Sequence, residues 1–227
     1  FIGLDDTDNP NSRGTGHLAR HVATVLAADY PVLGVTRHQL LTDPRVPCTK
    51  HNSSLAITLD VADGIDPAML LERVRALMLA DYQPGSDPGL CIASNVPATI
   101  TEFGRQSQRQ LVTQAEARAL AAAHNILLVG LGGTEDGVIG ALAAVGLAAG
   151  GEDGRYVQVG RCRELSGLQP VSVLLAAGIA AVQTIDGQPV NGSNLVQTDK
   201  LRPARRGGRP VAVVEWNGDY WLPLKLN

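Results

Sequence analysis

Two hydrophobic periods alternate along the chain, and the switches between them mark its elements. Phe1-Ile2-Gly3-Leu4 is a short apolar run stopped by Asp5-Asp6, the pattern of a buried strand feeding a polar loop that lasts to about Gly16. Leu18, Val22, Val25 and Leu26 then recur at i, i+4, i+7 and i+8, a helical stripe ended by Pro31. Residues 31–41, rich in Val and Leu, predict a second strand, broken by Asp43-Pro44 and Pro47. Leu55, Ile57, Leu59 and Val61 alternate with Ala56, Thr58 and Asp60, a period-2 strand with one apolar face. Asp66 and Pro67 read as N-cap and first position of a helix reaching about Asp81, with Met69, Leu70, Val74 and Leu77 inward. Residues 83–89 predict a loop and 90–93 a strand. Thr113 and Glu116 have capping-box spacing ahead of a helix whose inner face is Leu120 and alanines. A short buried strand at 126–129, a glycine turn and an apolar helix from Val138 follow. Beyond a strand at 155–159, residues 171–181 fit helix or strand alike, and Asp186-Gly187 and Asn217-Gly218 punctuate a hairpin-like tail. The fold class expected is α+β (mixed α/β), with a β-rich C-terminal segment.

Composition narrows the class. At 227 residues the chain can bury a sizeable core, and 44% apolar residues exclude global disorder. Nineteen Lys and Arg against 22 Asp and Glu leave a net charge of −3, which argues against a general nucleic-acid coat but not against a local basic patch. Cys48, Cys91 and Cys162 are scattered and form no CxxC, so reduced thiols in a cytoplasmic protein are expected rather than a zinc ribbon or disulfide framework. No run reaches the roughly 18 apolar residues of a membrane span. Phe1 falls mid-strand by pattern, so a few upstream residues are expected.

Chemistry concentrates in a few loops. Asp5, Asp6 and Asp8 crowd three carboxylates at a strand end, an arrangement that either forms a solvated turn or holds a cation such as Mg²⁺. The loop continues through Arg13, Gly14, Thr15 and Gly16 into a helix, the order that offers backbone amides to an anion. Gly130 to Gly137, with Gly132, Gly133 and Asp136, repeats the strand–glycine–helix order, although it is neither a Walker A loop nor a dinucleotide fingerprint; tight packing explains its glycines equally well. Lys50 could neutralise a phosphate, and Asn52 with Ser53 could meet a ribose or base, unless this is an ordinary surface loop. His17 and His21 have i, i+4 metal spacing but no third ligand, so solvent-facing imidazoles are favoured. Lys200, Arg202, Arg205, Arg206 and Arg209 form a positive run that either grips RNA or decorates a hairpin; Trp216, Tyr220 and Trp221 could stack on a base or fill a half-buried hairpin.

Gly3-Leu4-Asp5-Asp6-Thr7-Asp8 with its Gly/Thr loop, Gly137-Val138-Ile139-Gly140-Ala141-Leu142-Ala143-Ala144, and Lys200-Leu201-Arg202-Pro203 together resemble the archaeal tRNA(Ile) 2-agmatinylcytidine synthetases and their shorter bacterial relatives. The resemblance spans most of this chain but only the front part of the family protein. It implies an ATP-dependent kinase-like core (1–52 plus 126–170), a ferredoxin-like insert (53–125) and a β-rich segment (171–227). It implies ATP and Mg²⁺ as cofactors, with Asp5, Asp6 and Asp8 as metal ligands; the loops themselves suggest Asp6, Thr15 and Lys50 in catalysis, and Arg13, Gly14, Gly16, Asn52, Gly132, Gly133, Asp136 and Gly137 around the nucleotide. The family phosphorylates a cytidine base and lets agmatine displace the phosphate. Two departures stand out. The family threonine that becomes phosphorylated would fall at Gly16, beside Thr15, and no counterpart of the family's OB-fold or cysteine-rich zinc ribbon follows. The resemblance therefore implies phosphoryl transfer to an unidentified acceptor; a nucleotide- or ligand-binding regulatory module and an RNA-binding protein are the alternatives.

Overall fold

β1 (Ile2–Asp5) lies inside a sheet, hydrogen-bonded antiparallel to β3 (Ser53–Leu59) on one side and β4 (Gly89–Ile92) on the other. Its period-2 side chains divide the molecule: Ile2 and Leu4 point to one face, Gly3 and Asp5 to the other. The computed structural model describes residues 1–49, 51–61 and 65–226. The strand order runs β5 (Leu127–Gly130), β4, β1, β3, β2 (Val32–Gln39), β6 (Arg155–Gln158), β10 (Ala204–Arg206), β11 (Arg209–Trp216), β12 (Trp221–Pro223), β9 (Leu195–Gln197), β7 (Leu168–Pro170), with β8 (Ala181–Gln183) parallel to β11. Strands from 1–52, 53–125 and 126–170 thus interleave in one sheet, and the sheet itself marks no boundary between them.

On the Ile2/Leu4 face lie α1 (Thr15–Leu26) and α2 (Pro67–Ala80), whose Leu18, Val22, Leu26, Leu70 and Val74 join Val35, Ile57 and Leu90 in one core. Asp66 caps α2 through the Ala68 amide, as its sequence predicts. Met69, expected inward, is 73% exposed; Leu71 and Met78 fill the face instead, because the buried stripe starts one residue later. On the other face lie α3 (Ala98–Ser107), α4 (Gln114–Ala123) and α5 (Gly137–Gly150), packed on Cys91 and Ala93. The Thr113–Glu116 capping box opens α4. The apolar run from Val171 resolves into α6 (Val171–Ala176) and then β8, split by the left-handed Gly178. β5 is half-buried rather than fully buried, since it is an edge strand. Asn217 turns the β11–β12 hairpin, where Trp216 faces Trp221 with ring centroids 5.3 Å apart, so these rings serve the hairpin. Among the described residues no helix is long and apolar enough to cross a membrane.

Candidate functional site

The site is set by how closely α5 approaches the sheet. A Cβ on Gly3 would collide with the Ala141 carbonyl, one on Gly89 with the Gly137 backbone, and one on Gly137 would lie 2.5 Å from the Asp87 carbonyl oxygen and from the Gly89 nitrogen. Glycine on both surfaces lets backbone rest on backbone. Asp5, on the Gly3 face one strand step further, consequently ends beneath the first turns of α5, in the space that a side chain at Gly140 would occupy. Burial, followed by the charge of Asp6, pushes the Asp5 carboxyl up to about 8. Asp6 turns the chain at a left-handed φ of +50°, a conformation uncommon for non-glycine residues and one that Asp tolerates better than most. Burial and then the charges of Asp87 and Asp8 raise its carboxyl to about 6.

Asp87 carries no motif and escaped the sequence reading. The signal for it lies in strand pairing: Asp5 is opposite Gly89, so the turn before β4 must run beside the turn after β1. Its carboxylate accepts the Thr134 amide, and its carbonyl accepts the Gly137 amide at 2.9 Å. The Asp87 loop therefore stitches the glycine loop to the acidic loop, and the two meet at Asp136, Gly137 and Gly140.

A groove follows these residues. A cavity of about 220 Å³ is lined by Asp5, Asp6, Asp87 and Asp136 and by Leu40, Val46, Leu111, Val112 and Ile139 as an apolar wall. It shares Asp5, Asp6, Pro47 and Asn52 with a cavity of about 50 Å³, which shares Asp8, Thr15, Thr49, His51 and Ser53 with a third of about 150 Å³ lined also by Gly14, Gly16 and Arg37. Along the groove, the first cavity thus combines the apolar wall with Arg45, which is paired to Asp43, the Asp5 and Asp6 carboxylates are shared with the small middle one, and the third is polar and lined by Arg37.

The expected roles sort unevenly along it. Asp8 is spoken for: Oδ1 accepts the Thr15 hydroxyl at 2.8 Å and the Thr15 amide at 3.3 Å, while Oδ2 accepts the Thr49 hydroxyl at 2.8 Å. Gly14, the N-cap of α1, has no side chain for the task, and Asp8 caps the helix from across the loop. Thr15, expected in catalysis, is 6% exposed; its hydroxyl donates to Asp8 and accepts the Thr7 amide, a structural arrangement. Asn52 lines the groove but spends its amide nitrogen on the Leu41 carbonyl. Asp136 accepts from Gln114 and from the Thr134 hydroxyl. Gly132 and Gly133 line no part of the groove; a Cβ on Gly132 would meet Tyr82, and the amides of Thr134, Glu135 and Gly137 are used within the protein. The packing explanation therefore holds for that loop. Arg13 is exposed and bonded to His17, and it does not itself line the groove although Ser12 and Gly14 beside it do. Lys50 lies outside the described residues. No group of three or more His, Cys, Asp or Glu among the described residues is arranged to hold a metal ion by itself. Carboxylates with raised proton affinity are nevertheless hard donors short of positive charge, a fit for Mg²⁺, which takes one or two carboxylates and completes its shell with water and phosphate.

The basic run divides in the same way. Arg205 is buried, its guanidinium donating to the Ala148 carbonyl, the Tyr156 hydroxyl and the Gly208 carbonyl. Arg206 bonds to the Glu152 carbonyl, while Lys200 and Arg209 are exposed. The five cations do not form one face.

In sequence, 157 residues are 30% identical to the tRNA(Ile2) 2-agmatinylcytidine synthetase TiaS of Pyrococcus horikoshii, a match covering 64% of this chain and 35% of the relative. Among solved structures, a TiaS–tRNA(Ile2)–ATP complex matches with a TM-score of 0.56 at 22% identity, over 64% of this chain and 35% of that one. A tRNA fluorescent labeling enzyme matches with a TM-score of 0.55 at 22% identity, over the same shares. No family model matches the chain. The match therefore spans only 35% of the length of these relatives. Over the matched 64% of its own length it shares the sequence pattern and the fold of the tRNA(Ile2) 2-agmatinylcytidine synthetases.

Proposed function

We propose that the chain binds ATP with Mg²⁺ in the groove and transfers a phosphoryl group to an acceptor, in the cytoplasm. The observation that carries this reading is the pair Asp5 and Asp6, two carboxylates with raised proton affinity at the end of β1, between an apolar wall and a guanidinium. An apolar pocket suits a base, and hard oxygen donors suit a cation bound to phosphates. Such catalysis is mostly positioning and charge neutralisation. Asp5 and Asp6 would hold the ion, which when bound supplies positive charge to the phosphates. Asp6, fixed by its left-handed turn, would also orient the acceptor. Asp8 acts one step back, holding Thr15 and Thr49 so that the loop keeps its shape. ATP enters by similarity to a protein solved as an ATP complex.

Titration of Mg-ATP into the wild type and into Asp5→Asn/Asp6→Asn tests the reading. We expect binding in the wild type and at least a ~10-fold loss in the variant, or about 1.4 kcal/mol. Equal affinity in both proteins overturns it. A second reading, binding without transfer, is favoured by the buried, doubly bonded Thr15 hydroxyl and by Gly16 at the family threonine. Turnover of ATP over a panel of acceptors separates the two.

A further inference from the structure

Five arginines gather where α1 meets the second half of the chain. β2 and β6 are antiparallel, and their register sets Arg37 directly opposite Arg155. Like charges in that relation destabilise a ladder. β10 pairs Ala204 with Arg155, and the segment entering β10 carries Arg202. Arg20 from α1 and Arg163 from the 3₁₀ turn Cys162–Glu164 complete the group; burial and then Arg163 hold Arg20 below the usual arginine range, and burial, Arg163, Arg20 and Arg155 do the same to Arg202.

Nothing anionic in the described protein answers most of this charge. The ion pairs among the described residues use other arginines. Arg20 Nε donates to the Gly16 carbonyl at 3.0 Å, Arg37 Nε to Ser53 Oγ at 2.8 Å, Arg163 Nη1 to the Val157 carbonyl at 3.1 Å and Arg202 Nη1 to its neighbour's carbonyl at 2.6 Å, all neutral acceptors. Arg37 has Asp8 and Asp5 in electrostatic reach. Four of the five are half-buried, where an arginine ordinarily has a partner. The planar guanidinium matches phosphate oxygens in pairs. Arg37 also lines the groove and is the member of the cluster that reaches it.

We propose that Arg20, Arg37, Arg155, Arg163 and Arg202 dock the phosphate of a second ligand, separate from ATP, so that the acceptor is a phosphate-bearing molecule whose reacting end reaches Asp6. The acceptor role rests on the nucleotide reading of the groove; the phosphate site rests on the arginines alone. A ligand anchored here by its phosphate would lie along the groove from Arg37 towards the carboxylates, the geometry that positioning catalysis requires.

Ribose 5-phosphate and a ten-nucleotide single-stranded RNA, titrated separately with and without saturating Mg-ATP, distinguish the two sources of such a phosphate. At least one should bind saturably. Arg163→Ala/Arg202→Ala should weaken it at least ~10-fold while Mg-ATP affinity stays within about twofold. If the strand is the ligand, its affinity should fall with salt at a slope of about −3 for four phosphates. Arg163→Glu, at an exposed position, gives a second variant whose unchanged Tm separates lost binding from lost fold. Failure of both probes overturns the proposal. So does a matching loss of Mg-ATP affinity, which would assign the arginines to the nucleotide's own phosphates. If the wild type binds a probe but no Mg-ATP, the nucleotide reading falls and the arginine site stands.

Discussion

α1 and α5 both begin after a strand and a glycine-bearing loop, and their starts serve opposite purposes. At α5 the glycines are filled space: backbone lies where a Cβ would be, and the amides of the loop are used by the Asp87 turn. At α1 they border open space: nothing lies within 4 Å of a Cβ on Gly16, and only the Asp8 carboxylate, at 3.8 Å, approaches one on Gly14. A glycine loop ahead of a helix thus has two physical meanings, close packing or open access, and what stands opposite it decides which. In this protein the packed start positions the carboxylates, and the open one borders the groove.

Substitutions can break this contrast. The largest effect should come from Gly137→Ala, which forces a methyl against the Asp87 and Asp5 carbonyls; we expect a loss of about 3 kcal/mol or more in urea unfolding. Next is pH. Unfolded Asp5 and Asp6 lose their protons near ~4, whereas the folded carboxyls keep theirs to about 8 and about 6. Between those values the folded state binds more protons, so stability should fall as pH rises from ~4 to ~8. Asp5→Asn should recover most of the fall, raising Tm at pH 8 by on the order of 5 °C; an unchanged pH profile in that variant would show that Asp5 is not the group responsible. Asp8→Ala removes the α1 cap and should cost about 1–2 kcal/mol by the same urea assay. Smallest is Gly16→Ala, expected within ~0.5 kcal/mol of wild type or slightly stabilising. A large loss there would mean that the α1 start is packed like that of α5.

The local chemistry of the elements was legible in the sequence. Asp66-Pro67 and Thr113/Glu116 mark helix starts by side-chain capping, a short-range effect confined to a few residues. The Asp5–Asp8 loop was legible as a cluster for the same reason. The roles within it were not. That Asp8 caps a helix seven residues on, that Asp87 joins the cluster, and that Gly132 packs against Tyr82 all depend on strand pairing across more than 40 residues of chain or on loop closure. Met69 shows the same limit on a smaller scale, since a stripe offset by one residue leaves the helix in place and turns the side chain to solvent. The positive run at 200–209 is contiguous along the chain but divided in space. Arg202 finds its companions on α1, β6 and the 3₁₀ turn at Cys162–Glu164, and Arg205 turns inward.

Arg205 bears on how far the chain can be treated as exchangeable parts. Its guanidinium closes the carboxyl-terminal end of α5 through the Ala148 carbonyl, while the opposite end of that helix covers Asp5. With a rise of about 1.5 Å per residue, the helix carries ~12 Å between them, from Gly140 to Ala148. β6 and β10 meanwhile extend the front sheet from its β2 edge. Grafting the residues up to 170 onto a different tail, as one would a portable module, would leave a helix end uncapped and a strand edge bare. The back of this protein is a fixture of its front, and chimaeras should be joined beyond β11.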